Sequence, residues 1–190
     1  LVPADPSQTR NLAYDDNGNL TSDGTDSYTY DVENRLVAYS APATAQASAT
    51  SATLGYGPLG RLTQIVSSTH GTTRFLFDGD DLVGEYDANG TLLRRHVHGD
   101  SAGDDPLLTI EGSAPAFSAI RYLVADERGS IVARTDTNGS VLHTNRYDEY
   151  GIGGSGNAGR FRYTGQAWLP EVGLYYYKAR MYSPALGRFM

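Results

Sequence analysis

The chain has 190 residues and a net charge of −7 at pH 7, and its 15 basic residues are scattered, which argues against a nucleic-acid partner because phosphate neutralisation needs clustered cations. It contains no cysteine, so disulfides and thiolate metal sites are excluded, and no apolar stretch approaches the roughly 20 residues of a membrane span. The 22 glycines and 14 tyrosines, against five phenylalanines and one tryptophan, are typical of an all-β protein.

One short phrase recurs along the chain: an aromatic residue, aspartate, two or three turn-forming residues and an aliphatic residue. It first occurs at 14–20, where Asp15 and Gly18 hold the favoured first and fourth positions of a type I turn. Gly18 can also supply the positive φ of a bulge, and Tyr14 can then meet Leu20 across a β-hairpin. The other positions of the repeat are Tyr30, Asp31, Tyr86, Asp87, Gly90, Asp136, Gly139, Tyr147 and Asp148. The repeated unit predicts hairpins joined edge to edge in one continuous sheet.

Two stretches interrupt this pattern. Residues 40–53 are rich in alanine, serine and threonine, which predicts a flexible insertion between hairpins. Residues 101–119 hold the apolar run 107–110 between glycine- and proline-rich loops, which predicts a short strand. The strands around 73–77 and 92–98 alternate polar and apolar residues for much of their length. One face of the sheet is therefore expected to be solvated and the other to be buried against its own curl or a neighbouring copy.

Some clusters of side chains have two interpretations. The Asp-x-Asn-Gly phrases could bind calcium, but turn chemistry accounts for them and no EF-hand loop is present. His96 and His98 could share a zinc ion with a third ligand, but solvated histidines on a strand are the simpler interpretation. The tyrosines at 175–177 could stack on sugars, whereas alternate tyrosines of a strand usually pack into the core. We therefore expect no metal and no cofactor.

The second half of the chain carries four blocks in a specific order. They are YLVADERGSI at 122–131, FRYTGQ at 161–166, GLYYYKARMY at 173–182 and GRF at 187–189. With these blocks and its repeat, the chain resembles the RHS/YD-repeat proteins. The resemblance implies an all-β fold in which consecutive antiparallel β-hairpins form a curved or spiralling sheet, part of an RHS shell. It divides the chain into a hairpin array at 1–120 and an RHS-associated core region at 121–190.

The core region of this family also resembles an aspartyl autoprotease, whose acidic residues lie in an Asp-Pro-x-x-Gly-Arg-Phe block and a following Asp-Pro-x-Gly block. Here Ser183 stands where aspartate is common, and the sequence stops before the second block. Only Arg188 can be carried over as a remnant of the autoproteolysis region, so no catalytic residue is assigned and no self-cleavage is expected. Both ends look cut from a longer protein, and exposed sheet edges predict self-association.

The resemblance extends to bacterial polymorphic toxins, the C component of Tc toxins and wall-associated proteins, in which a shell holds a C-terminal toxin. It implies a non-catalytic shell segment that encloses and presents a C-terminal cargo polypeptide, with the remaining shell of the parent protein as a second partner. It also implies secretion or attachment to the bacterial cell surface, although this sequence carries no signal. Two alternatives stay open: an adhesive module that binds carbohydrate or a cell-surface protein, and an autoprotease completed by residues outside the sequence.

Overall fold

The computed structural model describes residues 11–45, 47–100, 104–114 and 116–190. Thirteen strands of this part lie in one sheet in chain order, and each pairs antiparallel with the next, which confirms the predicted all-β array of hairpins. We call this sheet the wall. Its strands are β1 (Ala13–Tyr14), β2 (Leu20–Ser22), β3 (Ser27–Tyr30), β4 (Leu36–Ala41), β5 (Thr50–Tyr56), β6 (Leu62–Ser67), β7 (Gly71–Asp78), β8 (Asp81–Tyr86), β9 (Leu92–His98), β10 (Pro106–Glu111), β11 (Ile120–Ala125), β12 (Ile131–Thr135) and β13 (Val141–Thr144).

A second antiparallel sheet, which we call the inner sheet, follows the wall in the chain. Its strands are β14 (Ala167–Leu169), β15 (Leu174–Tyr177), β16 (Arg180–Ser183) and β17 (Arg188–Phe189). The helical segments of the described residues are two 3₁₀ turns, Phe117–Ala119 and Tyr163–Gly165. Within the same described ranges, no helix has the length and apolar character that crossing a bilayer requires.

The repeat turns share one set of hydrogen bonds. In the turn after β8, the Asp87 carboxylate accepts the backbone N–H groups of Asn89 and Thr91, both at 2.8 Å, and these bonds lower the pKa of Asp87. Gly90 has φ of +81°, a conformation that glycine adopts without a steric cost. The same pair of bonds, to the second and fourth following residues, is made by Asp15, Asp31, Asp126, Asp136 and Asp148. Each turn therefore depends on its own side chains and needs no distant contact.

The repeat turns lie on two opposite rims of the wall, because successive turns of an antiparallel meander alternate between its rims. We call the rim with the β1–β2 turn the first rim and the opposite one the second rim. Turns at 15–18, 31–34 and 148–151 lie on the first rim, and those at 87–90 and 136–139 lie on the second. The repeat residues thus form rows at both rims and do not converge on one site.

The predicted flexible insertion at 40–53 is too long at both ends. Ser40 lies in β4 and pairs with Ser51 of β5. The connection between these strands is therefore 42–49, of which Gln46 lies outside the described residues. Ala52 is 3% exposed because it points toward the core, as Leu54 does. The alternation that places these residues inward was hidden by the small size of alanine, serine and threonine. The predicted short strand at 107–110 is present as β10.

The two ends of the wall lie close together, because one hairpin of the inner sheet contacts both. Arg188 of β17 donates through Nη1 to the hydroxyl of Tyr14 on β1 at 2.8 Å. Tyr182 of β16 donates to the carbonyl of Tyr150, beyond β13, at 2.9 Å, and Tyr182 is the direct strand partner of Phe189. In a flat sheet, twelve strand spacings of about 4.8 Å would separate the edges by about 58 Å. The wall is therefore strongly curled around the inner sheet.

The curled wall and the inner sheet share one apolar core. Seven large side chains of this core are at most 2% exposed: Leu20, Leu36, Leu62, Ile65 and Ile131 of the wall, and Leu169 and Leu174 of the inner sheet. Burial of each such side chain is worth about 1.5–3 kcal/mol. The inward face that the strand pattern predicts is thus covered by the C-terminal part of the same chain.

Two consecutive tyrosines of β15 are buried, although alternation along a strand predicts that only every second ring packs inward. Tyr175 packs on Trp168 with ring centroids 4.8 Å apart. Tyr176 meets the edge of the Phe77 ring, 6.1 Å away, and its hydroxyl accepts the Leu62 N–H. Both faces of the inner sheet are therefore covered, and these rings are unavailable for stacking on sugars.

Candidate functional site on the inner face of the wall

The C-terminal residues 159–190, which we call the inner segment, are fastened to the wall by hydrogen bonds as well as by the apolar core. Three backbone N–H groups take part: Leu62 donates to Tyr176 Oη (2.9 Å), Ile131 donates to the Arg162 carbonyl (2.9 Å), and Thr164 donates to Ser130 Oγ (3.0 Å). Such directional bonds between buried groups define the register in which the inner segment lies on the wall.

A buried ion pair joins Glu85 of β8 to Arg160 of the inner segment. The guanidinium donates through Nε to Oε1 at 3.0 Å and through Nη2 to Oε2 at 2.6 Å, and both side chains are at most 5% exposed. Burial raises the pKa of Glu85, but the charge of Arg160 and hydrogen bonds from His96 and Arg160 overcome this and hold the pKa well below its usual value. Glu85 is therefore ionised, and the pair acts as a bidentate ionic clamp between inner segment and wall.

Glu85 is one member of a chain of alternating charges, which we call the charge ladder and which consists of Arg160, Glu85, Arg94, Glu111 and Arg134. Arg94 of β9 donates to Glu85 Oε2 at 2.8 Å and to Glu111 Oε2 at 3.2 Å. Arg134 of β12 donates through Nη2 to Glu111 Oε1 at 2.6 Å. Because each carboxylate lies between two guanidinium groups, the ladder crosses β8 to β12 and ties these strands to the inner segment.

His96 is buried, which makes the prediction of a solvated strand histidine wrong. Its Nε2 lies 2.9 Å from Glu85 Oε1 and its Nδ1 lies 3.0 Å from Thr109 Oγ1. The edge of the ring of Phe161, from the inner segment, meets both His96 and His98, with centroids 4.8 and 5.2 Å apart. The polar side chains of β9 point inward because Glu85 on the adjacent strand binds Arg94 and His96. In the described part of the chain, no group of three or more potential ligands is placed to hold a metal ion.

We predict that this histidine makes the protein less stable in mild acid. Burial lowers the pKa of His96, so the folded protein keeps the ring neutral while the unfolded chain, with a pKa of about 6.5, takes up a proton. The resulting stability is fully present above about pH 6.5 and is lost as pH falls through the lower folded value. Urea midpoints measured between pH 7.5 and 5.5 should therefore decline on acidification.

The matched variants are His96→Gln and His143→Gln, since His143 lies on the exposed strand β13. The first should flatten the decline between pH 7.5 and 5.5, and the second should leave it unchanged. An unaltered slope in His96→Gln would show that other groups cause the acid sensitivity.

Arg188, the residue carried over from the autoproteolysis region, lies at the junction between β17 and β1. Its guanidinium contacts the hydroxyl of Tyr14 and lies 5.5 Å from the centre of that ring. Ser183, at the position where aspartate is common, is buried and accepts the N–H of Leu186 through Oγ at 3.3 Å. Both residues hold the last hairpin in place, and the absence of a catalytic role for them stays a prediction.

The residues that fasten the inner segment were not identified from the sequence. The sequence carried only a partial signal, since Arg94, His96 and His98 alternate along one face of β9 and Glu85 precedes them on the neighbouring strand. Arg160 gives no local signal, because it reaches Glu85 across 75 residues of sequence.

Two openings of several hundred Å³ lie between the wall and the inner segment. The first opening has a volume of about 480 Å³, lies at the first rim and is lined by Tyr30, Tyr56, Arg61, Lys178 and Met190 among others. The second opening has a volume of about 370 Å³ and lies at the second rim, lined chiefly by charged side chains that include members of the charge ladder. The last residue of the chain, Met190, packs against the core and donates its N–H to the Met181 carbonyl at 2.8 Å. Met190 thus lies on the inner side of the wall, beside the first opening.

The chain is similar in sequence and in fold to several known proteins. A family model described as Teneurin YD-shell matches residues 8–190. The tRNA3(Ser)-specific nuclease WapA of Bacillus spizizenii and the tRNA nuclease WapA of Bacillus subtilis strain 168 are each 31% identical over 94% of this chain. A chain of the crystal structure of TcdB2-TccC3-TEV has the same fold, with a TM-score of 0.66 and 18% identity over 93% of this chain. This chain spans 8% of the length of both nucleases and 9% of that crystal chain.

Proposed function

Because this chain belongs to the teneurin YD-shell family, we propose that it is a wall segment of an RHS-type toxin shell, which encloses and presents a C-terminal cargo polypeptide. The segment itself is non-catalytic in this proposal. Its partners are the cargo and the remaining shell of the parent protein, and the exposed edges of the wall are where other shell strands, or a second copy, would pair. Secretion or attachment to the bacterial cell surface belongs to the same proposal.

The observation that carries the proposal is the inward course of the C-terminal residues. The inner segment lies within the curl of the wall, and Met190 lies beside the first opening with its backbone hydrogen-bonded to Met181. A polypeptide continuing from this position starts on the inner side of the wall. The names of the relatives support a cargo of toxin type, since two are tRNA nucleases of which this segment matches only a small part.

The second function, an adhesive module for carbohydrate, has no comparable support. It depended on the tyrosine rings and on an acidic, solvated outer face, and the most tyrosine-rich stretch, 175–177, packs into and around the core. It stays a prediction that a glycan array on the purified protein can test.

The position of the chain end can be tested with a protease-recognition peptide inserted at two sites. One protein carries the peptide directly after Met190, and the matched control carries it between Ala47 and Ser48, two exposed residues of the β4–β5 connection. Cleavage after Met190 should be at least about tenfold slower, because access requires local opening of the inner segment. Equal cleavage rates at the two sites would contradict an enclosed C-terminal position.

A further inference from the structure

The only lysine of the chain, Lys178, occupies a strained turn between β15 and β16. Its φ is +59°, and the N–H of Ala179 donates to the carbonyl of Tyr177 at 2.7 Å, which closes a three-residue γ-turn around the lysine. A γ-turn with positive φ is rare and is costly for a residue that has a Cβ. Such strain persists only where the surrounding contacts hold the residue in place, which directs attention to the contacts of this side chain.

The ammonium group of Lys178 contacts the carboxylate of Asp104, which lies in the connection between β9 and β10. The two side chains are 23% and 21% exposed, so both charged groups are largely removed from water. The second oxygen of the carboxylate, Oδ2, accepts a hydrogen bond from the side-chain amide of Gln166. Gly165 lies against the same residue, since a Cβ at position 165 would be 2.6 Å from the Asp104 carbonyl oxygen. The inner segment therefore holds Asp104 against the lysine.

The surroundings of this pair are mostly apolar. Lys178 and Asp104 both line a small cavity of about 10 Å³, which has room for about one water molecule. One further carboxylate lines it, that of Asp80, which contacts Arg61. The rest of the lining is formed by Phe77, Leu82, Phe161, Ala167 and Tyr176. The cavity thus brings an amine, a carboxyl group and a second carboxylate together in a site with little water.

These surroundings favour the neutral form of the amine. Burial is the largest cause that lowers the pKa of Lys178, and the charge of Arg61 adds to the lowering, while the charge of Asp81 opposes it. A lower pKa increases the fraction of neutral amine, which is the nucleophilic form of lysine. Transfer of one proton from the ammonium group to the carboxylate replaces two charges by two neutral groups, and burial favours this exchange.

From these contacts, we propose that Lys178 and Asp104 are joined by an intramolecular isopeptide bond. The neutral Nζ of the lysine attacks Cγ of the aspartic acid, so the Nζ–Cγ bond forms and the Cγ–Oδ1 bond breaks. The departing oxygen takes one proton from the amine and one from the carboxyl group and leaves as water, so the reaction needs no oxidant, reductant or co-reactant. Gln166 stabilises the negative charge that develops on Oδ2, and Asp80 can carry the proton to Oδ1.

The bond links the wall covalently to the inner segment. It joins the β9–β10 connection to the turn between β15 and β16, beside the apolar contacts of Phe77 and Tyr176. Without cysteine, the chain cannot fasten these two parts by a disulfide, whereas an isopeptide bond uses only residues that it contains. The proposal concerns this chain alone and does not depend on enclosure of a cargo.

The test measures the intact mass of the protein, denatured after prolonged incubation in the folded state. The mass should be lower than that of the sequence by one water molecule. A lysine-specific endoproteinase provides the second readout, because Lys178 is its only target in the unfolded chain, and an acylated lysine is not cut. Dehydration of an aspartate to a succinimide, for example at Asp78 before Gly79, would lower the mass equally but would leave the lysine open to cleavage.

Three variants complete the test. Lys178→Arg keeps the positive charge beside Asp104 but should not form the bond, so its mass should equal that of its own sequence. Asp104→Ala should also keep its full mass, and cleavage after Lys178 should then be complete. Asp100→Ala, which removes an exposed aspartate of the same connection, should retain the loss of one water and the resistance to cleavage. An unaltered protein with the full mass of its sequence and complete cleavage after Lys178 would contain only an ion pair. That result would overturn the proposal without relying on any variant.

Discussion

Replacing Glu85 with glutamine is expected to lower the free energy of unfolding by about 3–5 kcal/mol, because it leaves a buried guanidinium without its counter-charge. Arg160 is 5% exposed, and the only other carboxylate that the described contacts place near it, Glu171, is 3.8 Å away. Glutamine keeps the size of the side chain but cannot accept two bonds from the guanidinium fork. The inner segment would therefore lose its clamp on β8, as urea or thermal unfolding can measure.

Glu33→Gln is the matched control for this prediction. Glu33 also forms an ion pair, with Arg35 at 2.6 Å, but its side chain is 62% exposed. Water solvates both charges when the pair is broken, so little stability should be lost. If the two glutamine variants unfolded at the same urea concentration, the buried clamp would have no special role.

The double variant Glu85→Gln/Arg160→Met separates loss of attraction from the penalty of an orphaned charge. Methionine fills much of the space of the arginine stem and carries no charge to be stranded. The double variant should therefore be more stable than Glu85→Gln alone. A double variant less stable than the single one would mean that Arg160 contributes mainly through its remaining contacts, such as its bond to the Trp168 carbonyl at 2.7 Å.

The wall could be predicted from the sequence because its turns are local. Asp87 and Gly90 form their hydrogen bonds within a single short turn, so the residue types at fixed offsets already specify a hairpin. Once hairpins follow one another without a crossover, their order in the sheet follows. The predicted bounds of the flexible insertion at 40–53 were wrong because small side chains such as Ala52 differ little in polarity between inward and outward positions. Strand alternation was therefore not visible there.

The inner segment and its fastening could not be predicted, because its contacts join distant parts of the chain. Leu62 and Tyr176 are 114 residues apart, and Tyr14 and Arg188 are 174 apart. Polar residues on a strand usually indicate a solvent-exposed face, and for this reason His96 was wrongly predicted to be solvated. The burial of Glu85 beside His96 and the arginines can be predicted only when the pairing register of the strands is known.

A protein that ends at Ala158 is expected to lose cooperative folding altogether. It keeps all thirteen strands of the wall but lacks the inner segment, which covers the apolar inner face. A one-layer sheet has no core of its own, and it must bury its apolar face against another element. Exposure of only four large apolar side chains, at about 1.5–3 kcal/mol each, would remove about 6–12 kcal/mol, comparable with the total stability of an ordinary domain.

The informative comparison is with a protein that lacks only residues 188–190. This protein keeps β14 to β16, the Glu85–Arg160 clamp and the buried Leu169 and Leu174, so it should still unfold cooperatively. The protein that ends at Ala158 should instead bind a dye specific for exposed apolar surface and associate through its inner face. Cooperative thermal unfolding of the shorter protein as a monomer would mean that the wall is stable when empty. The inner segment would then be bound to the wall by the charge ladder without being needed for its folding. Removing the inner segment would leave space for a cargo while the wall stays folded.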